Sequence, residues 1–457
     1  MTMAAAIVAS AASAATAGEE KFDWSQLIQP PAQPEAEQNS SFNQFTEALT
    51  NEAYSEAEVV AKQMIEQVDP NAAAERARAL HNLAVAQQAQ GSHDSAMQNY
   101  VASIDVITRN ENNLSSSLIM PLRGLAQVYL DRGLQDEANA ALDRALHVSN
   151  VNYGPHSLNQ LPILNARLDA ALEFSDPESA LDLMDRIHAL YTRKYPRDSQ
   201  ELLPMYRQEA ELYNTLGMGD EEYNAWRHVL TIQRKLHGKN DLSLIEPHLR
   251  LAEVRIRNLM TIGNRKVAAS SAAGHLKKAL RIAEDSPGDN WQARKNCLLS
   301  LADFYTLFGM QGRARRYYAE AWDLLTSDEM YRPSLARDLE VPVALVRQPP
   351  NPYANFAYDR KTVDIDPDEY LEGEMVMAFT VTAEGRTRDI RLVESDPEDF
   401  ELMERRVRNS VERFVYRPRI ADRVPVPTAD QYYRIKFYYV PSAYEVSIAR
   451  SNRRGPN

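Results

Sequence analysis

The sequence is poor in several residue types that mark whole classes of protein. It has one cysteine, Cys297, in 457 residues, which excludes an intramolecular disulfide and any zinc site built on two thiolates. Glycine occurs only 16 times, which argues against collagen-like and glycine-rich chains and favours helix. No run of 18 apolar residues occurs, so the sequence predicts no membrane-spanning helix.

Motifs that carry catalysis are also missing. The nine histidines form no H-x-x-x-H or H-E-x-x-H unit, and the sequence has neither a glycine-rich phosphate loop nor a G-x-S-x-G elbow. The net charge of −13 opposes the basic face that nucleic-acid binding requires. We therefore predict a non-catalytic protein with no cofactor, no metal site and no nucleic-acid partner, and we expect Cys297 to be a small core residue.

The first residues resemble a secretory signal peptide. Residues 3–17 are small or apolar and end in Ala15-Thr16-Ala17, although no Lys or Arg precedes them. We predict a signal peptide at residues 1–17 and export to the periplasm. The alternatives are a true start further upstream and an alanine-rich tail on a cytoplasmic protein. Residues 18–41 are rich in Pro, Gln, Glu and Ser and predict a linker.

Residues 42–340 repeat one helical pattern about every 42 residues. In one copy, Leu80, Leu83, Ala84 and Gln87 follow one another at helical spacing. The pattern is a large residue, a leucine, a small residue, and then a polar or aromatic residue. The last copy has the same spacing, at Leu298, Leu301, Ala302 and Tyr305. In each copy a glycine follows and then a second helical face, which predicts a helix pair.

This pattern resembles the tetratricopeptide repeat, whose helix pairs stack into a solenoid. The usual period is about 34 residues, so we expect each helix here to be longer by about one turn of 3.6 residues. We predict an all-α solenoid of about seven pairs, with small residues such as Ala84 and Ala302 where helices cross. Solenoids of this kind bind peptides or protein segments along the face formed by their first helices.

Polar residues at equivalent steps of the first helices are the candidates for such binding, and we expect them to be exposed. They are His81, Arg123, Asn165 and Arg207, and Asn82 beside His81 is a further groove candidate. Some members of the family clamp a C-terminal carboxylate with a set pattern of Lys, Asn and Arg. Asn82 alone fits that pattern, so the clamp is not inferred. The alternative is that these side chains form an ordinary solvated surface.

The pattern changes after residue 340. A proline-containing linker at 341–360 leads to alternating residues that predict two strands joined at Gly385, then an amphipathic helix with Phe400 and Val407 on its apolar side. A Pro- and Arg-rich loop from Tyr416 to Asp430 precedes a last strand, 431–440. The order predicts a small α+β domain of type β-β-α-β over residues 361–443, and we expect residues 444–457 to be a disordered tail.

This domain resembles the C-terminal domain of the TonB family. The resemblance rests on glycines before the first strand and in its turn, on the segment FVYRPRIADRVPV and on the closing YRIKFYYV. It implies periplasmic protein binding in which an exposed strand pairs with a segment of an outer-membrane transporter. We expect the last strand to be that edge, with outward side chains Tyr432, Arg434, Lys436 and Tyr438.

The sequence also departs from that family, because it carries neither the membrane helix nor the long Pro-rich spacer of its energy transducers. The leading hypothesis is therefore a periplasmic scaffold associated with TonB-dependent transport, whose partners are outer-membrane transporters or inner-membrane transport components. The alternatives are an energy transducer whose anchor lies upstream or on a partner, and a cytoplasmic repeat scaffold.

Overall fold

The structure is a computed structural model that describes residues 23–31, 36–261, 265–354 and 370–440. The predicted signal peptide and the predicted tail lie outside these residues. Within them, no helix is both long enough and apolar enough to cross a membrane. The chain forms two compact units, which divide between Met205 and Tyr206.

The first unit consists of antiparallel helix pairs. The pairs are α1 (Ala36–Thr50) with α2 (Tyr54–Gln67), α3 (Ala73–Ala89) with α4 (His93–Asn110), α5 (Ile119–Asp131) with α6 (Gln135–Tyr153), and α7 (Leu161–Glu173) with α8 (Pro177–Lys194). A 3-10 turn at Trp24–Gln26 precedes them. The crossing residues Ala84, Ala96 and Ala138 are fully buried, as the repeat pattern predicts, because only a small side chain fits between two close backbones.

The second unit continues the same pattern. Its helices are α9, which begins at the unit boundary (Leu203–Thr215), α10 (Gly219–His237), α11 (Ile245–Thr261), α12 (Arg265–Asp285), α13 (Trp291–Leu307), α14 (Gln311–Thr326) and the short α15 (Arg332–Asp338). The described residues thus contain seven helix pairs, and α5, α7, α9 and α11 begin 42 residues apart. The predicted number and period of the pairs are confirmed.

The remaining elements form a small β-rich module. They are β1 (Val343–Val346), β2 (Tyr353–Ala354), β3 (Leu371–Val381), β4 (Thr387–Asp396), α16 (Glu401–Val411), β5 (Val415–Arg417), β6 (Arg419–Ala421), β7 (Val424–Val426) and β8 (Thr428–Tyr439). One sheet has the order β2-β8-β3-β4. Its buried side carries Met377 and Phe437, which pack in one core with Met403 and Val407 of α16. The predicted β-β-α-β order is therefore present.

Three parts of the module differ from the sequence prediction. The predicted loop from Tyr416 to Asp430 contains most of β5, all of β6 and β7 and the start of β8, and the predicted linker at 341–360 contains β1 and β2. The last strand is not an edge along its whole length, because β2 pairs with it in parallel at Tyr438 and Tyr439. A two-residue strand in a Pro-rich stretch has no alternating pattern from which it could be predicted.

The module packs on the last helix pair through a buried ion pair. The Arg417 guanidinium is 1% exposed and donates to both carboxylate oxygens of Asp303, at 2.9 and 2.6 Å. Its third bond goes to the backbone carbonyl of Asp338. Burial disfavours the guanidinium's charge, but the Asp303 carboxylate outweighs it and raises the pKa of Arg417. Ile420 joins the apolar core of α13 and α14.

Candidate functional site

The predicted linker at 18–41 is partly structured, and this changes the environment of the predicted groove. Helix α1 already begins at Ala36, and the side chain of Leu27 is 2% exposed. His81, predicted to be exposed on α3, is 0% exposed, and the further candidate Asn82 beside it is 1% exposed. That expectation was wrong, because the segment Asp23–Pro31 covers them.

Asn82 binds the backbone of this segment at two points. Its Oδ1 accepts a hydrogen bond from the backbone N–H of Gln29 at 2.9 Å, and its Nδ2 donates to the backbone carbonyl of Gln29 at 2.8 Å. Both bonds go to main-chain atoms, so they require an extended residue with a free N–H and do not depend on its side chain. This is the kind of contact with which a protein holds an extended peptide.

His81 holds the same segment two residues earlier. Its Nε2 lies in hydrogen-bond contact with the backbone carbonyl of Leu27. A carbonyl oxygen only accepts, so Nε2 carries the proton of this bond. Burial lowers the pKa of His81 to about 4, against the opposing effect of the Leu27 bond, and the charge of Arg123 lowers it further. The imidazole is therefore neutral at pH 7.

Arg123 lies on α5, near enough for its charge to act on His81. Its side chain is half-buried, and one of its terminal nitrogens lies 3.4 Å from the sulfur of Met120. Its Nε is buried without a hydrogen-bond partner. Desolvation lowers the pKa of Arg123. The structure thus brings His81, Asn82 and Arg123 into one region.

The other two predicted groove residues lie on later first helices of the pairs. Asn165 lies on α7 and is half-buried. Arg207 lies on α9, in the second unit, where it forms an ion pair of 2.8 Å with Glu246 of α11. The continuous polar track that the repeat spacing suggests therefore stays a prediction.

A cavity of ≈ 180 Å³ lies beside the bound segment. It is lined by Gln29 of the segment, by residues of α3, by the end of α4 and by the start of α5. Arg78 and Glu111 line it, together with Ser117 and Met120. The segment therefore does not fill the space between α3 and α5.

The candidate residues of the last strand lie on a face of the sheet. Tyr432, Arg434 and Lys436 are exposed on the side away from α16, while Ile435 and Phe437 are buried on the other side. Arg434 is paired with Glu374, and Lys436 is paired with Glu372 at 2.7 Å. Both cations therefore pair with carboxylates of the neighbouring strand β3.

The free edge of β8 is nevertheless partly available. The backbone N–H of Tyr438 donates to the Pro352 carbonyl at 2.8 Å, so it points toward β2. Backbone groups of alternate residues point to the same side of a strand. The N–H groups of Tyr432, Arg434 and Lys436 therefore also point to that side, where no strand among the described residues covers them. Tyr438 is not available, because β2 occupies it.

Two further groups bear on catalysis and metal binding. Burial raises the pKa of the Cys297 thiol to about 12, so Cys297 is a protonated core residue, as predicted. Nδ1 of His248 lies 2.9 Å from Nδ1 of His275, and burial lowers both pKa values to about 4. In the parts of the chain that are described, no three ligating side chains come together as a metal site would need.

Sequence reasoning missed the segment Asp23–Pro31 itself. The signal was present in Trp24, Leu27 and Ile28, three apolar residues in a stretch that is otherwise polar or Pro-rich. Their spacing of i, i+3 and i+4 is that of a single helical turn, and one isolated apolar turn before a Pro-rich stretch suggests a segment that docks on another surface. Nothing in the pattern names that surface, because Leu27 and His81 are 54 positions apart.

No protein-family model matches the sequence, and no curated protein matches it. Among solved structures, the C-terminal part of a TPR repeat-containing protein from Cytophaga hutchinsonii is 12% identical, with a TM-score of 0.43 over 64% of this chain and 99% of that one. BtubC from P. vanneervenii is 18% identical, with a TM-score of 0.38 over 55% and 95%. The assignment to paired-helix repeats therefore rests on the chain's own helix pairs.

Proposed function

We propose that this protein is a non-catalytic scaffold that binds extended segments of partner proteins. The observation that carries the proposal is the two-point contact between the Asn82 amide and the backbone of Gln29. A side chain that binds main-chain atoms accepts many sequences, and the segment Asp23–Pro31 serves as an example of a ligand already in place. The site is built from α3, with α5 alongside.

A peptide titration on the full chain tests this proposal. The probe is a labelled peptide of residues 19–34, and the chain carries Leu27→Asp, which removes the buried anchor of its own segment. A tethered segment competes at an effective concentration on the order of millimolar. We therefore expect the Leu27→Asp chain to bind the peptide about tenfold or more tightly than the unaltered chain.

Two controls make the titration specific. Gln26→Asp adds the same charge at an exposed position and should leave the site occupied. Adding Asn82→Ala to the Leu27→Asp chain removes two hydrogen bonds and should weaken binding by about tenfold or more. Helix content and melting temperature are recorded for every variant. If the folded Leu27→Asp chain fails to bind the peptide, the proposed function is wrong.

We propose further that the scaffold works in the periplasm, near TonB-dependent transport. The signal-like residues 3–17 and the resemblance of the last domain to the TonB family support this assignment. Cell fractionation with N-terminal sequencing tests it, and we expect a mature chain that begins near Gly18 in a periplasmic extract. An intact Met1 in the cytosol would favour the cytoplasmic scaffold. Recovery with inner membranes would favour the anchored transducer.

The β8 edge is the surface through which the module would bind a transporter segment. Arg434→Pro removes one N–H that points to the uncovered edge, and its control is Arg434→Ala. If a partner strand pairs there, proline should weaken binding of a transporter-derived peptide by about fivefold or more, and alanine should not. Equal losses in two folded variants would identify a side-chain contact and contradict strand pairing.

A further inference from the structure

The segment Asp23–Pro31 ends in two prolines, directly after the residue that Asn82 binds. The N–H and the carbonyl of one residue point to the same side when that residue is extended, and Asn82 binds both groups of Gln29. A proline at the next position keeps Gln29 out of the helical conformation, because the proline ring clashes with a helical residue before it. Pro30 thus favours the conformation that Asn82 requires before binding occurs.

Pro30 gives this help without a buried contact of its own. Its side chain is exposed, whereas Pro31 is half-buried. Proline has no N–H, so neither residue leaves a backbone donor unpaired where the segment lies on the protein. Because a restricted chain loses less conformational entropy on binding, prolines at these two places favour the bound state.

Pro31 lines a small cavity of ≈ 30 Å³. Met64 and Val68, at the end of α2, and Ala79 of α3 provide apolar parts of its wall. Four positions earlier in the segment, the side chain of Leu27 is 2% exposed. The segment thus places a buried aliphatic side chain and a proline on apolar surfaces, on either side of the residue that is bound through its backbone.

The charged residues at the wall of this cavity are Glu75 and Arg78. They pair with each other at 2.6 Å, so together they favour neither an acidic nor a basic ligand. The apolar wall and the two prolines are then the features by which this end of the site selects a segment.

We propose that the partner segment bound at this site is proline-rich, with an aliphatic residue three positions before two consecutive prolines. It displaces Asp23–Pro31, which has the same features. The aliphatic residue takes the place of Leu27, and Asn82 binds the backbone of the residue before the first proline. The second proline lies against the cavity wall between α2 and α3. Asn82 binds main-chain atoms and does not discriminate between sequences, so selectivity comes from these flanking positions.

This inference rests on the proposed function, and it is tested with peptides of residues 19–34 on the full Leu27→Asp chain. Pro30→Ala should weaken peptide binding by about threefold, because the residue before it then samples helical conformations in the free peptide. Pro31→Ala should weaken binding by about fivefold, since it also gives up apolar contact. The matched control is Gln26→Ala, which alters an exposed residue and should change affinity by less than about twofold.

A chain variant tests the place of the second proline. Met64→Ala, added to the Leu27→Asp chain, removes part of the cavity wall. The loss caused by Pro31→Ala should then fall to about twofold, because residues in contact are coupled. Gln63→Ala, at an exposed position of α2, should leave the fivefold loss unchanged.

Unchanged affinity of the two proline-to-alanine peptides, or an equal loss with Gln26→Ala, would overturn the inference. So would a loss from Pro31→Ala that Met64→Ala leaves unaltered. The proposed function would still stand in these cases, because the unaltered peptide binds. Failure of every peptide to bind would instead remove the proposed function, and the inference with it.

Sedimentation of the unaltered chain tests the other occupant, which is the segment of a second copy. We expect no dimer that depends on this segment. A dimer that Leu27→Asp converts to a monomer would identify the second copy as the occupant, and the inference of a proline-rich partner would be wrong.

Discussion

Arg417 is the residue on which attachment of the β module depends most directly. It is buried together with Asp303, whose side chain is 13% exposed, and Tyr318 donates to the same carboxylate at 2.9 Å. Its bidentate contact fixes the angle as well as the distance between strand β5 and helix α13. A lysine would supply the charge without this geometry.

We expect Arg417→Met to destabilise the protein by about 3 kcal/mol or more, because it leaves the Asp303 carboxylate buried without its cation. The matched variant is Arg423→Met, which breaks an ion pair with Asp323 in which both side chains are about half exposed. That change should cost less than about 1 kcal/mol. Urea unfolding at pH 7 measures both, and similar losses in the two variants would contradict the structural role of Arg417.

His81 predicts a dependence of stability on pH. Its pKa is about 4 in the folded chain and about 6.5 when unfolded. The contribution of the neutral, buried His81 to the free energy of unfolding is thus fully present above pH 6.5. It is lost as the pH falls toward 4, because only the unfolded chain takes up the proton. The loss is on the order of 3 kcal/mol at most. His248 and His275 act in the same direction.

A His81→Gln variant isolates this effect. It removes the titrating group, so its stability should fall less between pH 7 and pH 4.5 than that of the unaltered chain. The quantity compared is the change of stability with pH in each protein. The absolute stabilities are not compared, because the variant also alters the hydrogen bond to Leu27. Thermal unfolding followed by circular dichroism at several pH values measures it. Parallel slopes would show that His81 does not titrate differently in the folded state.

Among the helices, α5 shows how closely neighbouring elements pack. A Cβ added at Gly124 would collide with the ring of Tyr100 of α4 and lie 2.7 Å from its hydroxyl. The ring cannot move away easily, because it is fully buried and its hydroxyl is bonded to Gln88 at 3.0 Å. In α12, by contrast, nothing lies within 4 Å of a Cβ added at Gly274.

The same substitution at these two glycines should therefore have opposite effects. Gly274→Ala should stabilise the chain by about 0.5–1 kcal/mol, since alanine is the better helix former. Gly124→Ala gains the same propensity but overpacks the core, and we expect a net loss of about 1–2 kcal/mol. Urea unfolding of both variants measures these changes in the free energy of unfolding. Stabilisation by Gly124→Ala would mean that Tyr100 has room to move.

At the scale of the whole molecule, local patterns predicted local structure. The seven helix pairs and the β-β-α-β order follow from periodicity, since each element carries its own apolar face. The contacts that define the candidate site do not follow from periodicity. Asn82 meets Gln29 across 53 positions, and β2 meets β8 through two residues of a Pro-rich stretch. Both segments are too short to carry a repeated pattern that identifies their partners, so their places depend on surfaces that exist only after the repeats have folded.

The β module and the last helix pair should behave as one cooperative part. Ile420 donates its N–H to the Leu339 carbonyl at 2.7 Å, and Gln311 of α14 bonds to the turn at Glu384. Ending the chain after Glu340 removes these contacts and Arg417, which leaves Asp303 without its cation and exposes part of the α13–α14 core. We expect a lower melting temperature and faster hydrogen exchange in α13 and α14, with the other helices less affected.

The control for that deletion ends the chain after Val440, which keeps every residue of the module that the structure describes. Its melting temperature should match that of the full chain. Circular dichroism and hydrogen exchange with mass spectrometry measure both variants. If ending the chain after Glu340 left exchange in α13 and α14 unchanged, the module would be an independent domain on a tether. The buried Arg417–Asp303 pair would then contribute nothing to the last repeat, which the geometry of that pair argues against.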